Sequence, residues 1–356
     1  MIGGAGRRRR RRQRAFTLAA GVAALILITA VATTRSSWWS RPDVVPRPLL
    51  QVGLVRLPGT SSRFDYAELD PGTHRLWIAH LGDDVVDEVD TAAAAVVRTV
   101  SDLAGATGVI VVPALHRVFV STPGTAEVAA LDEDTGTVLA RTPAGSYPDG
   151  LAYVPSTGQV WVSDQSGGVE TVLDGASGAR VATVELGGEA GNVRYDAAGD
   201  RVLVDVQTRD EVVAIDPRTR TVQARVRLPG CDHDHSLALD RDRAYVACDG
   251  NDTLFVLNLA DLTVMGTLTV GHQPDVLAVD PVRQLLYVAA ESGVLTIIDT
   301  ARPGGRVLSR DRVGENAHVV ALDPATGATY YPLSTGPDGV PELLVMGPNS
   351  ASAHRP

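Results

Sequence analysis

The chain has 356 residues, 44% hydrophobic and 21% charged, with 35 glycines, 21 prolines and only 4% aromatic residues. This composition is globular; it excludes disorder and collagen and favours short strands joined by tight turns. All 32 basic residues are arginine, and from residue 42 onward 23 arginines face 42 acids, so a body of net charge about −19 excludes nucleic acid as a partner.

Residues 1–14 form a basic segment, with arginines at 7 to 12 and at 14. Residues 15–34, AFTLAAGVAALILITAVATT, follow without a single charge. At about 1.5 Å rise per residue, a helix of this length spans the ~30 Å hydrocarbon layer. The positive-inside rule keeps the arginines cytoplasmic and places everything after Arg35 outside. Ala30-Val31-Ala32 offers a cleavage site, yet the apolar run exceeds the roughly 7 to 15 residues of a secretory signal. An uncleaved anchor in the cell membrane is therefore expected, with secretion after cleavage at Ala32 as the alternative. Trp38 and Trp39 suit the interfacial belt. Pro42, Pro46 and Pro48 make residues 35–49 an extended linker.

From residue 50 onward one unit recurs. Its first strand and turn read AELDPGTHRLWIAH, VIVVPALHRVFVST, LAYVPSTGQVWVSD, VRYDAAGDRVLVDV, LALDRDRAYVAC, LAVDPVRQLLYVAA and VALDPATGATYYPL. The aligned anchors are Asp70, Val112, Val154, Asp196, Asp240, Asp280 and Asp323, at intervals of 40 to 44 residues. Third strands end at Asp90, Asp132, Asp174, Asp216, Asn258 and Asp299 with nearly the same step. Alternating apolar positions, β-branched residues and frequent turn signals mean strands, and four strands in such a period make one propeller blade. The expected fold is all-β, a seven-bladed β-propeller over residues 50–347, preceded by one transmembrane or signal helix and followed by a disordered tail at 348–356. The seventh copy stops after its third strand, PELLVM, while an orphan strand, LQVGLVRL at 50–57, precedes the first. Pairing these two leftovers closes the ring and removes two exposed sheet edges.

Second strands such as RLWIAH, RAYVAC and LLYVAA, following first strands that end in VDP in blade six, resemble the YVTN repeats of the YncE-like propellers. The resemblance covers about residues 50 to 347. The first strands of blades two, three and four depart from VDP, reading VVP, YVP and YDA. The resemblance implies an exported seven-bladed propeller and assigns no reaction, since many members have none established.

Blade topology sends the loops entering each first strand, and those between second and third strands, to one face around the central channel. Five residues before the anchors stand Asp65, Thr107, Asp149, Gly191, His235, Asp275 and His318. Five of these seven are candidate ligands at the channel mouth. His233, His272, Asp232, Glu189 and Glu315 lie in the same loops, which groups four of the eight histidines over blades five to seven. Imidazoles and carboxylates converging from several blades are donors for a divalent cation such as zinc, calcium or manganese, with His233, His235, His272 and His318 as the histidine set. The same residues equally serve to satisfy loop amides beside a wet channel. Alternation along a strand lets His233 and His235 share a side.

Cys231 and Cys248 open and close an antiparallel pair across the turn at Arg241 and Asp242, and outside the cytoplasm a disulfide between them is expected. There is no CxxCH, no P-loop and no GxSxG. Trp77 and Trp161 sit on second strands and read as packing between blades. The functional expectation is a binding scaffold for a protein or small-molecule ligand, held to the membrane by its N-terminal helix; the alternative is a hydrolase or lyase using a divalent cation at the mouth.

Overall fold

Each copy of the repeat folds as one antiparallel four-stranded sheet, and seven such sheets form the computed structural model, which describes residues 48–349. The expected membrane span and its basic flank, most of the linker and nearly all of the tail lie outside the described residues, among which no helix is long and apolar enough to cross a membrane.

The recurring aspartates explain why the chain turns where it does. Asp70 Oδ1 accepts the Gly72 amide at 2.9 Å and Oδ2 the Thr73 hydroxyl at 2.6 Å. Asp196, Asp280 and Asp323 repeat this pattern on the turns that follow them. At the ends of the third strands, Asp90, Asp132, Asp174, Asp216 and Asp299 accept amides two or three residues ahead, as does Asn258. A short carboxylate that bonds its own backbone in this way supplies a ready-made turn. Blades two and three lack the first aspartate and turn by other means. Pro113–Leu115 forms a 3-10 turn capped by His116 in the left-handed region, and Gly158 takes φ 67° after Val154.

Third strands such as Val85–Asp90 and Thr253–Asn258 are buried along their middle four residues, whereas the outermost Ala95–Val100 alternates exposed and half-buried. The second and third strands are sandwiched between neighbouring blades and so bury both faces, which requires near-continuous apolar runs. The core is thus a ring of interfaces. Trp161 and Val172 of blade three pack with Val193 and Val204 of blade four, and Tyr245 of blade five with Leu286 and Val288 of blade six. Trp77, Phe119, Trp161, Leu203, Tyr245, Tyr287 and Tyr331, all on second strands, are fully buried.

The ring closes through its N-terminal strand. Leu49–Arg56 pairs antiparallel with Glu342–Pro348, with Leu54 opposite Leu344, and forms the outer strand of blade seven. Both strands start or end within two residues of the expected bounds. Val55 and Leu57 then pack with Leu69 and Leu76 of blade one and Leu343 of blade seven.

Candidate functional site

The residues five before each anchor converge as the strand pattern requires, and most of them are buried. His318 Nε2 lies 3.8 Å from Asp65 Oδ1 and 3.9 Å from Asp275 Oδ2, and His235 Nε2 lies 3.4 Å from Asp275 Oδ1. Asp149 is buried in the field of Asp65 and Asp275, and burial together with those charges raises its pKa. Blade four contributes glycine for a steric reason: a Cβ on Gly191 would stand 2.9 Å from the His235 carbonyl oxygen and 3.1 Å from Asp205 Cβ.

Two residues outside the seven equivalent positions complete the cluster. Arg63 directs Nη2 at Asp65 (3.3 Å) and Asp275 (3.6 Å), and Nη1 at Glu291 (2.7 Å). Burial alone would lower the guanidinium pKa, but Asp65, Glu291 and Asp275 outweigh it and hold the group firmly charged. Nothing in the repeat marks Arg63 or Glu291. The available signals were position: Arg63 stands two residues before Asp65, on the same side of an extended chain, and Glu291 follows the second strand of blade six, Leu285–Ala290.

Hydrogen bonding fixes the state of the two histidines. His318 Nδ1 lies 2.8 Å from the Asn316 carbonyl and Nε2 lies 3.1 Å from the Phe64 carbonyl. Both partners only accept, so both nitrogens carry protons and the ring is an imidazolium. His235 Nδ1 faces Gln207 Oε1 at 3.3 Å, with that amide oriented by the bond from Gln207 Nε2 to the Ala190 carbonyl, while Nε2 faces Asp275. Burial opposes protonation of His235, but Asp275 and then Asp149 prevail and push its pKa up to about 10. Burial would raise the Asp275 pKa; His235, His318 and Arg63 hold it below the ordinary carboxylate value.

The chain supplies three cations of its own, Arg63, His235 and His318. The ligand atoms of Asp65, Asp275 and His318 do come within 4.8 Å of one another. A divalent ion bound there would have to displace the proton at His318 Nε2 and compete with the Arg63 guanidinium for the carboxylates.

His233 and His272 stand apart from this cluster. Each bonds an aspartate in the turn after the second strand of blade five: His233 Nδ1 to Asp249 at 2.7 Å and His272 Nδ1 to Asp252 at 3.0 Å. His233 takes φ 64° just before the strand Asp234–Leu239 begins, so strand alternation does not apply to it and its partner differs from that of His235. Cys231 and Cys248 form a disulfide with a Cα separation of 5.6 Å. Cys231 lies in the turn ahead of that strand rather than within it, and Cys248 sits opposite Asp234.

Beside the mouth, Ser62, His80 and Asp87 form a line that superficially matches a nucleophilic triad. The Ser62 hydroxyl donates to Asp83 Oδ1 at 2.7 Å, however, and therefore receives rather than gives the proton at His80 Nε2, 3.0 Å away. His80 Nδ1 is 3.7 Å from Asp87. This is a brace for the loop leading to Arg63, with the serine proton pointed away from the would-be base.

No family model matches the chain, and no curated protein matches it. Similarity appears in solved structures. A chain of Kuenenia stuttgartiensis hydrazine synthase superposes with TM-score 0.67 at 16% identity, covering 80% of this chain and 94% of that one. A chain of a mitotic checkpoint complex gives 0.71 at 13% identity, covering 86% and 95%. The RRP9 WD40 repeats give 0.72 at 7% identity, covering 85% and 100%. At these identities the likeness establishes the propeller fold alone.

Proposed function

We propose that the chain is a YncE-like propeller, held on the extracytoplasmic side of the cell membrane by residues 15–34, that binds a protein partner through its channel mouth. The observation that carries this reading is the Arg63 ion-pair cluster. Its side chain is 38% exposed, and Glu291 beside it is 26% exposed. Behind them Asp65, Asp275, His235 and His318 hold the geometry rigid. A basic side chain of a partner can compete with Arg63 for Glu291, and the net charge of the body speeds the approach of a basic surface. The propeller is a frequent scaffold for such contacts, and one similar structure bears the name of an assembly, the mitotic checkpoint complex.

The test is photocrosslinking in intact membranes from position 147, whose tyrosine lies beside Asp149, Asp65 and Arg63, against position 222 on the blade rim. We expect a discrete protein adduct from position 147 that is lost in high salt and in Glu291→Gln. Equal labelling from both positions, or none, would end this reading. Protease added to intact cells should digest the propeller, whereas recovery of a soluble form beginning at Thr33 would replace the anchor with a cleaved signal. The reading of a metal-dependent hydrolase or lyase has one observation on its side, the closeness of Asp65, Asp275 and His318. It requires zinc, calcium or manganese to raise the melting temperature, and we expect none to do so.

A further inference from the structure

Beneath the mouth, the side-chain amide of Asn192 in blade four donates to the hydroxyl of Tyr66 in blade one at 2.7 Å. This bond bars the channel one residue below Asp65 and Gly191. Under it lies a cavity of about 680 Å³ that runs down the first strands and reaches Pro71, Pro155, Pro281 and Pro324 at the turns of the opposite face. That volume lies in the range of small-molecule sites, roughly 300 to 1,000 Å³. Ile110, Ala152, Ala278 and Leu322 give it aliphatic walls.

Its charged lining residues are Glu68 and Arg194, from the same two blades that make the bar. Arg194 donates from Nη1 to Asn192 Oδ1 at 3.1 Å and to its neighbour's carbonyl at 2.8 Å, which aims the guanidinium without neutralising it. Its Nε and Nη2 make no hydrogen bond among the described residues, and no carboxylate there lies within 4.0 Å of it. Glu68 receives a single long bond, from the Val111 amide at 3.3 Å. Burial holds its pKa up to about 7 despite the opposing effect of Arg194. An arginine fork with spare donors and a carboxyl lacking a counter-ion thus face one aliphatic chamber.

We infer that this chamber is a second binding site, independent of the mouth and opening on the opposite face, for a small aliphatic zwitterion. The ligand's carboxylate pairs with the free edge of Arg194, its ammonium group with Glu68, and its hydrocarbon body with the walls.

The test uses full-length protein and three probes with the same hydrocarbon skeleton: leucine, 4-methylpentanoate, which lacks the ammonium group, and isopentylamine, which lacks the carboxylate. Calorimetry and thermal melting should both show saturable binding of leucine, and weaker binding of each half-ligand by about tenfold or more, since each loses a charge-assisted contact. Arg194→Met should abolish the response to leucine and to 4-methylpentanoate. Glu68→Gln should reduce leucine to the level of 4-methylpentanoate. Ile110→Trp, which narrows the chamber and leaves both charges in place, should weaken the binding of all three probes. Arg63→Gln at the mouth should leave leucine binding unchanged. Absence of saturable binding by any probe, undiminished leucine binding in a folded Arg194→Met protein, or its loss in a folded Arg63→Gln protein would each overturn the inference.

Discussion

Two sets of aspartates in this chain share one side chain and differ in almost everything else. Asp90, Asp132, Asp174 and Asp216 close the turns after third strands; amides and hydroxyls just ahead of them hold their pKa values below the ordinary carboxylate range. Asp65, Asp149 and Asp275 stand at the mouth, nearly excluded from solvent, and Asp65 and Asp275 meet His318 of another blade. The first set recurs because every blade must turn in the same way. The second is broken in four blades, where Thr107, Gly191, His235 and His318 stand instead. Regular recurrence marks the local chemistry of the backbone, and departure from it marks the site.

The largest expected effect removes the frame that both sets depend on. Deleting residues 50–57 strips blade seven of its outer strand and exposes a sheet edge, so the shortened body should aggregate or lose its cooperative melt. Unchanged cooperative unfolding in calorimetry would refute the closure seen between Leu49–Arg56 and Glu342–Pro348.

Arg63→Ala should come next. It leaves Asp65, Asp275 and Glu291 without their guanidinium, at a cost of about 1–3 kcal/mol, a range set below that of a fully buried pair because the arginine is partly exposed. Denaturant unfolding gives this value directly, and a cost near zero would mean that the two histidines alone balance the cluster.

The pH dependence of melting should separate the two sets. A histidine with a raised pKa contributes stability that is complete below its unfolded value and is lost as pH rises through its folded value, about 10 for His235. Buried acids act in the same direction. Burial raises Glu170 to about 8, and it also raises Asp205 and Asp234, so their protonated folded forms lose ground as pH rises from the ordinary carboxylate value, ~4, toward alkaline pH. The turn aspartates act oppositely, contributing above ~4 and losing their contribution as pH falls below it. The melting temperature should therefore peak in mildly acidic solution. His235→Gln should flatten the alkaline limb and Asp174→Ala the acid limb. A protein most stable at pH 9 would contradict the protonation states assigned to the mouth and to the blade interfaces.

Asp174→Ala at neutral pH should have the smallest effect, about 1 kcal/mol, because it removes local bonds to Ser177 and leaves no buried charge behind. An effect as large as that of Arg63→Ala would erase the distinction between the two sets.

How much was legible follows from the range of each interaction. The period of 40 to 44 residues, the ends of the third strands and the closing strand depend on alternation and on turns whose partners lie two or three residues away, so the linear order of residues carries them completely. The convergence of Asp65, Asp149, His235, Asp275 and His318 was also readable, because equivalent positions of a closed ring must face one channel. The sequence could not reveal which charges balance which. Arg63 meets Glu291 across more than 200 residues, His318 is held protonated by the carbonyl of Phe64, and Asn192 reaches Tyr66 across the channel. Those distances depend on ring closure, and they set Arg63, His235 and His318 against the carboxylates of the mouth. Local hydrogen bonding determined the blades; the closing of seven of them around a shared axis decided the chemistry at both ends of the channel.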